Sequence, residues 1–522
     1  MNLVSRLAER ARLHPDRPAL VDRRHGTDRV ITYRELTSRV GAGAHELEET
    51  GLRRGQVVLV FQPVSIELYE FLLAAFHAGL RVMLADPSAG RAFLTNCCHR
   101  LQPDAFFGSW KAQCLRLAVS GMRSIPVAFC SEAWFPGAKS WHPGSEDSPV
   151  ADVPDEEPAL ITFTSGSTGV PKAAVRTHGF LLAQHGVLSK SLDFRDGEVD
   201  LITLPVFVLA NLASGLTSVL AATDLAKPGT PDVPAIASQC ARFHVTRCAA
   251  SPAFFEGLLA GGIPPFEKVY TGGAPVFPDL LRRLSTALPN AVIDSVYGST
   301  EAEPIAHFPA HEASRETDTL TRQGGGLCSG IPVPEIELRI IADRWGSPLT
   351  ADNVTPLSIG EAGEIIVRGD HVLRGYLGGL GDSETKIPDG DTVWHRTGDA
   401  GWLDSQGRVW LLGRCAEKLP PHPAPGEIPA DAFRYPFAIE CALRELFPAI
   451  RMAAMERENR RTLVVGKNSD PEEAASIRAS AAAFGIHHII HLATLPLDRR
   501  HNAKIDYPAL RQLLENEKPR TG

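Results

Sequence analysis

The chain has no excess of basic residues. Its 53 Lys and Arg stand against 61 Asp and Glu, a formal net charge of −8. That balance argues against a nucleic-acid backbone or an anionic membrane as the main partner. None of its nine cysteines forms a Cys-x-x-Cys pair, and the one cluster, Cys97-Cys98 before His99, places two thiols side by side. Adjacent cysteines rarely act as joint zinc ligands, so buried thiols in a reducing, cytoplasmic setting are expected. Long apolar runs are missing too. Met1 to Leu20 mixes arginines and acids with leucines at helical spacing, unlike a signal peptide. The uncharged stretch Pro205 to Ala222 is interrupted by Asn211, Ser214, Gly215, Thr217 and Ser218, which favours a buried helix over a stable membrane insertion. No internal repeat is visible. There is also no Walker loop, which needs four residues between its glycines and then Gly-Lys-Ser/Thr.

A different loop is present. Residues 162–172 read Thr-Phe-Thr-Ser-Gly-Ser-Thr-Gly-Val-Pro-Lys. Hydroxyls and unhindered backbone N–H groups are what a chain offers to phosphate oxygens, and Lys172 adds a point charge. Gly166 and Gly169 allow close backbone approach. The apolar Ala159-Leu160-Ile161 just before the loop reads as a short buried strand. A generic Ser/Thr/Gly cluster is more often a plain surface turn, so the order of residues, not their composition, carries the signal.

At 522 residues the chain exceeds one ordinary core, so two or more domains are expected. Val57 to Phe61 reads as a strand, Ile66 to Gly79 as a helix and Leu80 to Leu84 as the next strand, the spacing of parallel βαβ units. Residues 133–158 look like an exposed connector and 312–330 like a glycine-rich loop. From Ile336 to Leu412 short, turn-punctuated runs suggest a β-rich subdomain. Leu419 to Pro436 holds six prolines, which resist both helix and central strand, and reads as the extended entry to a C-terminal domain. The fold class expected is α/β, with α+β in the small lobe.

Six segments in order resemble the adenylate-forming superfamily of acyl-CoA synthetases, luciferases and peptide-synthetase adenylation domains. They are the loop at 162–172, Gly272-Gly273-Ala274-Pro275, Tyr297-Gly298-Ser299-Thr300-Glu301, His395-Arg396-Thr397-Gly398-Asp399, Gly413-Arg414 and Asn502-Ala503-Lys504-Ile505. The likeness extends to the β-lactone synthetases of bacterial olefin biosynthesis. It rests there on Ser251-Pro252-Ala253, on Pro205 to Leu209 with Gly215 to Val219, on Arg500-His501 before the lysine motif, and on Pro436 to Glu440.

The resemblance implies a large domain, 1–414, that binds ATP and a carboxylic acid, and a small mobile domain, 415–522, that carries a catalytic lysine. It assigns phosphate binding to Thr164, Ser165, Gly166, Ser167, Thr168, Gly169 and Lys172. The adenine segment would be Gly273, Ala274 and Pro275, with Tyr297 stacking on the base beside Gly298 and Ser299. Asp399 and Arg414 would hold the ribose, Thr300 the α-phosphate and Glu301 a Mg²⁺ ion. Lys504 would bridge carboxylate and phosphate oxygens as charge develops. The partner implied is a small-molecule carboxylic acid; a homodimer or a pathway-enzyme partner is compatible with the sequence.

The reaction implied is adenylation of a 3-hydroxy acid, then closure to a β-lactone with loss of AMP. The alternative is an AMP-forming acyl-CoA or acyl-carrier ligase. Several positions depart from the ligase pattern. Val208 replaces the histidine after Pro-x-Phe, prolines replace the strand after the hinge, Ala416 replaces the charged hinge residue, and no Gly-Gly-x-Ser carrier segment follows. Ala210 and Asn211 depart from the β-lactone pattern, where phenylalanine and aspartate are expected, leaving open a different acid or a diverged second step. A silent nucleotide binder would need neither Lys504 nor Glu301, and a kinase-like ATPase would release ADP. Two histidine features carry less. His487-His488-Ile489-Ile490-His491 reads as structural, and the role of His178 is open.

Overall fold

The computed structural model describes residues 2–86, 89–132, 134–164, 171–466, 471–497 and 505–516. Two compact units emerge. One comprises Met1–Thr223, Pro234–Cys248 and Asp370–Asp382, and the other Asp224–Val233, Ala249–Gly369 and Ser383–Gly522. The α/β class expected from the sequence is what is found. Among the described residues, no helix is long and apolar enough to cross a membrane.

The first unit is built on a seven-stranded sheet. From its edge inward come Lys139–Ser140, Val127–Cys130, Ala105–Gly108, Val57–Phe61, Arg81–Leu84, Pro158–Thr164 and Lys172–Thr177. All neighbours are parallel except the last pair. The helix Ile66–His77 returns the chain between two of these strands, opened by a Ser65 cap on the Leu68 N–H. Val57 to Phe61 is buried throughout, as a parallel strand covered on both faces must be. The stretch at 133–158 is less exposed than a connector of its composition should be. Phe135, Trp141 and Val153 are buried, and Trp141 Nε1 donates to Glu70 at 3.0 Å.

The uncharged stretch Pro205 to Ala222 is not one buried helix. It is a helix, Phe207–Ser214, followed by a strand, Thr217–Leu220. Gly215, at φ +82°, ends the helix in the left-handed region that glycine enters without a Cβ penalty. Apolar content alone does not separate buried helix from buried strand, and the break was written only in that glycine.

The second unit begins with the parallel pair Lys268–Gly272 and Val292–Ser299, then turns antiparallel through Ala302–Pro309 and Leu327–Pro332. The expected β-rich subdomain follows as Glu337–Ile341, Gly363–Arg368, Lys386–Asp389, Thr392–Leu403 and Val409–Arg414. Residues 312–330 are not a plain loop. They contain the helix Arg315–Arg322, capped by Ser314 on the Thr317 N–H, and the start of the strand Leu327–Pro332. Polar composition hid a helix whose buried face is made of Thr317 and Thr321.

After the proline-rich stretch, the helix Pro436–Leu446 opens on a proline at its first turn, where the missing N–H costs nothing. A three-stranded sheet follows, Met452–Arg457, Arg460–Val465 and His488–His491, with the helices Pro471–Ala482 and Tyr507–Asn516. The histidine run is therefore mostly strand, and His488 Nδ1 meets the Thr462 hydroxyl at 3.1 Å.

The β-rich part holds a fully buried ion pair. Arg396 Nε and Nη2 donate to both oxygens of Glu364 at 2.8 and 2.7 Å, and Nη1 donates to the Ser347 carbonyl at 2.6 Å. Both side chains have 0% exposure. Removing one partner strands a buried charge, whereas removing both does not. Arg396→Met should therefore cost about 3–5 kcal/mol in urea unfolding, and adding Glu364→Leu should restore most of that loss.

Candidate active site

In the first unit the hydroxyl-rich segment lies between two paired strand ends, with Thr162 opposite Ala174 and Thr164 opposite Lys172. Ser165, Gly166, Ser167, Thr168 and Gly169 fall outside the described residues. The strand ends are held from residues far away in sequence. Ala174 bridges to Tyr376, and Arg100 donates to the carbonyls of Pro171 and, at 2.9 Å, of Leu377. Lys172 Nζ lies 5.9 Å from the Tyr376 ring centre. Its Cε and Nζ occupy the space beside Gly381, where a Cβ would meet them at 2.7 and 2.8 Å. Tyr376 and Gly381 were not found from the sequence, because a contact across some two hundred residues leaves no spacing pattern.

His178 has a structural answer. It is fully buried, and its Nδ1 accepts the Leu3 N–H at 3.3 Å. Burial lowers its pKa to about 4, so the ring is neutral and its proton sits on Nε2. The departure at Asn211 is also absorbed by the core. Asn211 is 0% exposed and donates from Nδ2 to Asp200 Oδ2 at 2.9 Å and to Ser218 Oγ at 3.1 Å. Burial raises the Asp200 carboxyl to about 6, against the opposing pull of Arg247. Val208 and Ala210 are buried as well. Cys97 and Cys98 are buried thiols, pushed up to about 12 and 11 by desolvation.

In the second unit three predicted residues come together. Tyr297 donates its phenol to Asp399 Oδ2 at 2.8 Å. Arg414 Nη1 sits 3.2 Å from Asp399 Oδ1. The antiparallel ladder makes this possible, since Asp399 and Arg414 are direct cross-strand partners. Thr397, which the sequence reading passed over, orients the carboxylate's own backbone: its Oγ1 accepts the Asp399 N–H at 3.0 Å, and its carbonyl accepts from Arg414 at 3.2 Å. The Asp399 charge is the largest influence on Arg414 and raises its pKa, with Tyr297 and Glu301 adding to the same field. Burial, then Asp399, drives the Tyr297 phenol well above its ordinary range. Gly398, at φ +70°, lies against Trp345, whose ring atoms a Cβ would meet at 2.9 Å.

Thr300 and Glu301 occupy the turn between Val292–Ser299 and Ala302–Pro309, where Ser299 pairs with Ala302. The pairing register shifts between Tyr297 and Ser299, which re-aims the side chains at the end of the strand. Gly273, Ala274 and Pro275 leave the parallel strand Lys268–Gly272 at its C-terminal end, the end where α/β sheets take ligands. Gly272 allows the two strands to close: a Cβ there would lie 2.6 Å from the Val296 carbonyl oxygen. Lys504 falls outside the described residues.

These residues fit a nucleotide. Asp399 spends one oxygen on Tyr297 and one on Arg414, and a carboxylate with about four acceptor sites keeps room for two hydroxyls. The hydroxyls of Thr271 and Ser299, on neighbouring strands, are buried and without a hydrogen-bond partner among the described residues. Glu301 offers one carboxylate, which suits Mg²⁺ bound mainly through phosphate and water.

The profile of the family described as AMP-binding enzyme matches residues 7–377. The chain belongs to that family. The superfamily resemblance carried by the six segments is thus borne out. Over 535 residues the chain is 32% identical to the olefin beta-lactone synthetase of Stenotrophomonas maltophilia (strain K279a), covering 97% of this chain and 96% of that protein. Its fold matches the amide bond synthetase McbA of Marinactinospora thermotolerans, with a TM-score of 0.77 at 19% identity, over 97% and 99% of the two chains. It also matches the O-succinylbenzoate Coenzyme A synthetase (MenE) of Bacillus subtilis in complex with ATP and magnesium ion, with a TM-score of 0.74 at 20% identity, over 97% and 99% of the chains. At such identities the likeness to solved structures is one of fold.

Two substitutions probe the site. Gly272→Ala should cost about 1–3 kcal/mol by overpacking against Val296, and should raise the Kd for ATP in calorimetry. Asp399→Asn removes the charge that Arg414 and Tyr297 share. It should weaken ATP binding by about tenfold or more while leaving the thermal midpoint within a few degrees.

Proposed function

We propose that this enzyme activates a 3-hydroxy acid with ATP and closes it to a β-lactone. The observation that carries the reading is the near full-length likeness to an olefin beta-lactone synthetase. The Tyr297–Asp399–Arg414 group supports it by offering a ribose site. In the first step the acid's carboxylate oxygen attacks the α-phosphorus of ATP, and pyrophosphate leaves. In the second the 3-hydroxyl oxygen attacks the activated carbonyl carbon, losing its proton, and AMP leaves with the C–O electron pair.

The residue roles follow from charge. Two anions must meet, so neutralisation and alignment are the enzyme's task. Lys172 and the hydroxyls of 164–168 would receive the outer phosphates. Glu301 would hold Mg²⁺, which supplies further positive charge to those oxygens, and Thr300 would donate to the α-phosphate. Lys504 would arrive from the 415–522 domain, which we propose as the moving part against 1–414. No thiol acceptor is needed, in keeping with the prolines after the hinge and with Val208.

Pyrophosphate release and product mass are the test. With a 3-hydroxy acid, ATP and Mg²⁺, the expected products are pyrophosphate, AMP and a species lighter than the acid by one water, with no need for coenzyme A. A strict requirement for coenzyme A would replace the lactone reading by the ligase one. Lys504→Ala should abolish pyrophosphate exchange while ATP still binds in calorimetry; near-native exchange in that variant would remove Lys504 from its role.

A further inference from the structure

The helix Tyr507–Asn516 starts three residues after Lys504, and two carboxylates grip its first turns. Glu440, on the helix Pro436–Leu446, accepts from the Tyr507 hydroxyl and, at 2.9 Å, from the Ala454 N–H, both on Oε1. Glu417, three residues after Arg414, pairs with Arg511. Tyr507 and Arg511 are four residues apart and so share a helix face; the Arg511 guanidinium lies 6.0 Å from the Tyr507 ring centre. Beside them Leu510 and Leu514 are buried in a cluster with Ala453, Met455 and Val464.

The chain entering this helix is closed on itself. Ile505 bridges to Leu497, and the Asp506 N–H donates to the Pro496 carbonyl at 3.0 Å. Asp506 Oδ1 then accepts the Ala509 N–H at 2.9 Å, capping the first turn. Lys504 is thus the residue immediately before a pinned base. A carboxylate placed where Glu440 is comes at a cost, for burial raises it to about 7, with Glu417 adding like charge and Tyr507 and Ala454 opposing. An apolar residue would avoid that cost but could accept from neither Tyr507 nor Ala454, so what the position requires is the acceptor.

We propose that Glu440 is a positioning residue for Lys504: through Tyr507, and with the Glu417–Arg511 pair as the second point, it sets where the chain leaves the Leu497–Ile505 bridge. The inference rests on the role given to Lys504 above. Glu440 touches no substrate; it holds the lysine's base so that the long side chain starts from one place. A misplacement of this kind lowers turnover without weakening substrate binding, because the lysine acts as charge develops.

The experiment measures ATP–pyrophosphate exchange, amide hydrogen exchange over 505–510 and thermal unfolding in the full chain. Tyr507→Phe and Glu440→Leu should lose about 10- to 100-fold in kcat, with KM for ATP within about twofold, and amides 505–510 should exchange faster. Glu440→Gln keeps an acceptor oxygen for Tyr507 and Ala454 and should stay within about threefold of native kcat. A Tyr507→Phe enzyme with native kcat and native protection overturns the assignment. If Tyr507→Phe does not fold, the Glu440 pair decides: equal kcat in Glu440→Gln and Glu440→Leu overturns it. Lys504→Ala separates the two readings. Inactive Lys504→Ala beside native Tyr507→Phe sinks this inference alone, while active Lys504→Ala sinks the lysine's role itself.

Discussion

The Asp399 carboxylate is the joint of the second unit's site. One oxygen accepts from Tyr297 and the other faces Arg414, so a single side chain ties two neighbouring strands to a third that the chain visits about a hundred residues earlier. A carboxylate does this at low cost only if its surroundings are themselves ordered. The Arg396–Glu364 pair, fully buried, fixes the strand three residues upstream, and Thr397 holds the Asp399 backbone. The motif His395-Arg396-Thr397-Gly398-Asp399 therefore reads as one device. Arg396 anchors, Thr397 orients, Gly398 allows the close approach to Trp345, and Asp399 presents the charge.

The C-terminal part shows the same economy of ion pairs at its entrance. Asp343 accepts from Tyr435 at 2.9 Å and pairs with Lys418 at 2.9 Å, so the proline-rich stretch has a polar anchor at each end. Arg461 donates to the carbonyls of Pro420 and Phe433 at 2.6 and 2.8 Å, supplying donors to a backbone that cannot pair as strand. Two of the segment's carbonyls are thus met by an arginine side chain, while those of Pro429, Ala430 and Arg434 accept backbone N–H groups within the segment instead of within a sheet.

Much of the fold was legible because burial and period agree. Val57 to Phe61 is apolar at every position and is a strand buried at every position. The stretches that misled were those where composition and period disagree. Pro205 to Ala222 is uncharged throughout, yet changes from helix to strand at Gly215. Residues 312–330 are mostly polar or glycine, yet hold a helix because Ser314 caps it and threonines suffice for its buried face. At the site, charge-bearing residues in a fixed order were legible, while Tyr376 and Gly381 were not. Their contribution is contact, and nothing in their own neighbourhoods marks it.

By itself the sequence determined the family, the α/β class, the order of the six family-like segments and the residue types they carry. Those are local properties: a glycine, a hydroxyl or a carboxylate carries its chemistry wherever it sits. Tertiary structure alone decided that Tyr297 and Arg414 share the Asp399 carboxylate, that Asn211 is committed to Asp200, that His178 is a neutral core acceptor, and that Glu440 and Glu417 clasp the helix after Lys504. Each depends on which strands pair and in what register. A shift of one residue in a strand turns every side chain to the other face, so partners of this kind exist only once the sheets have formed.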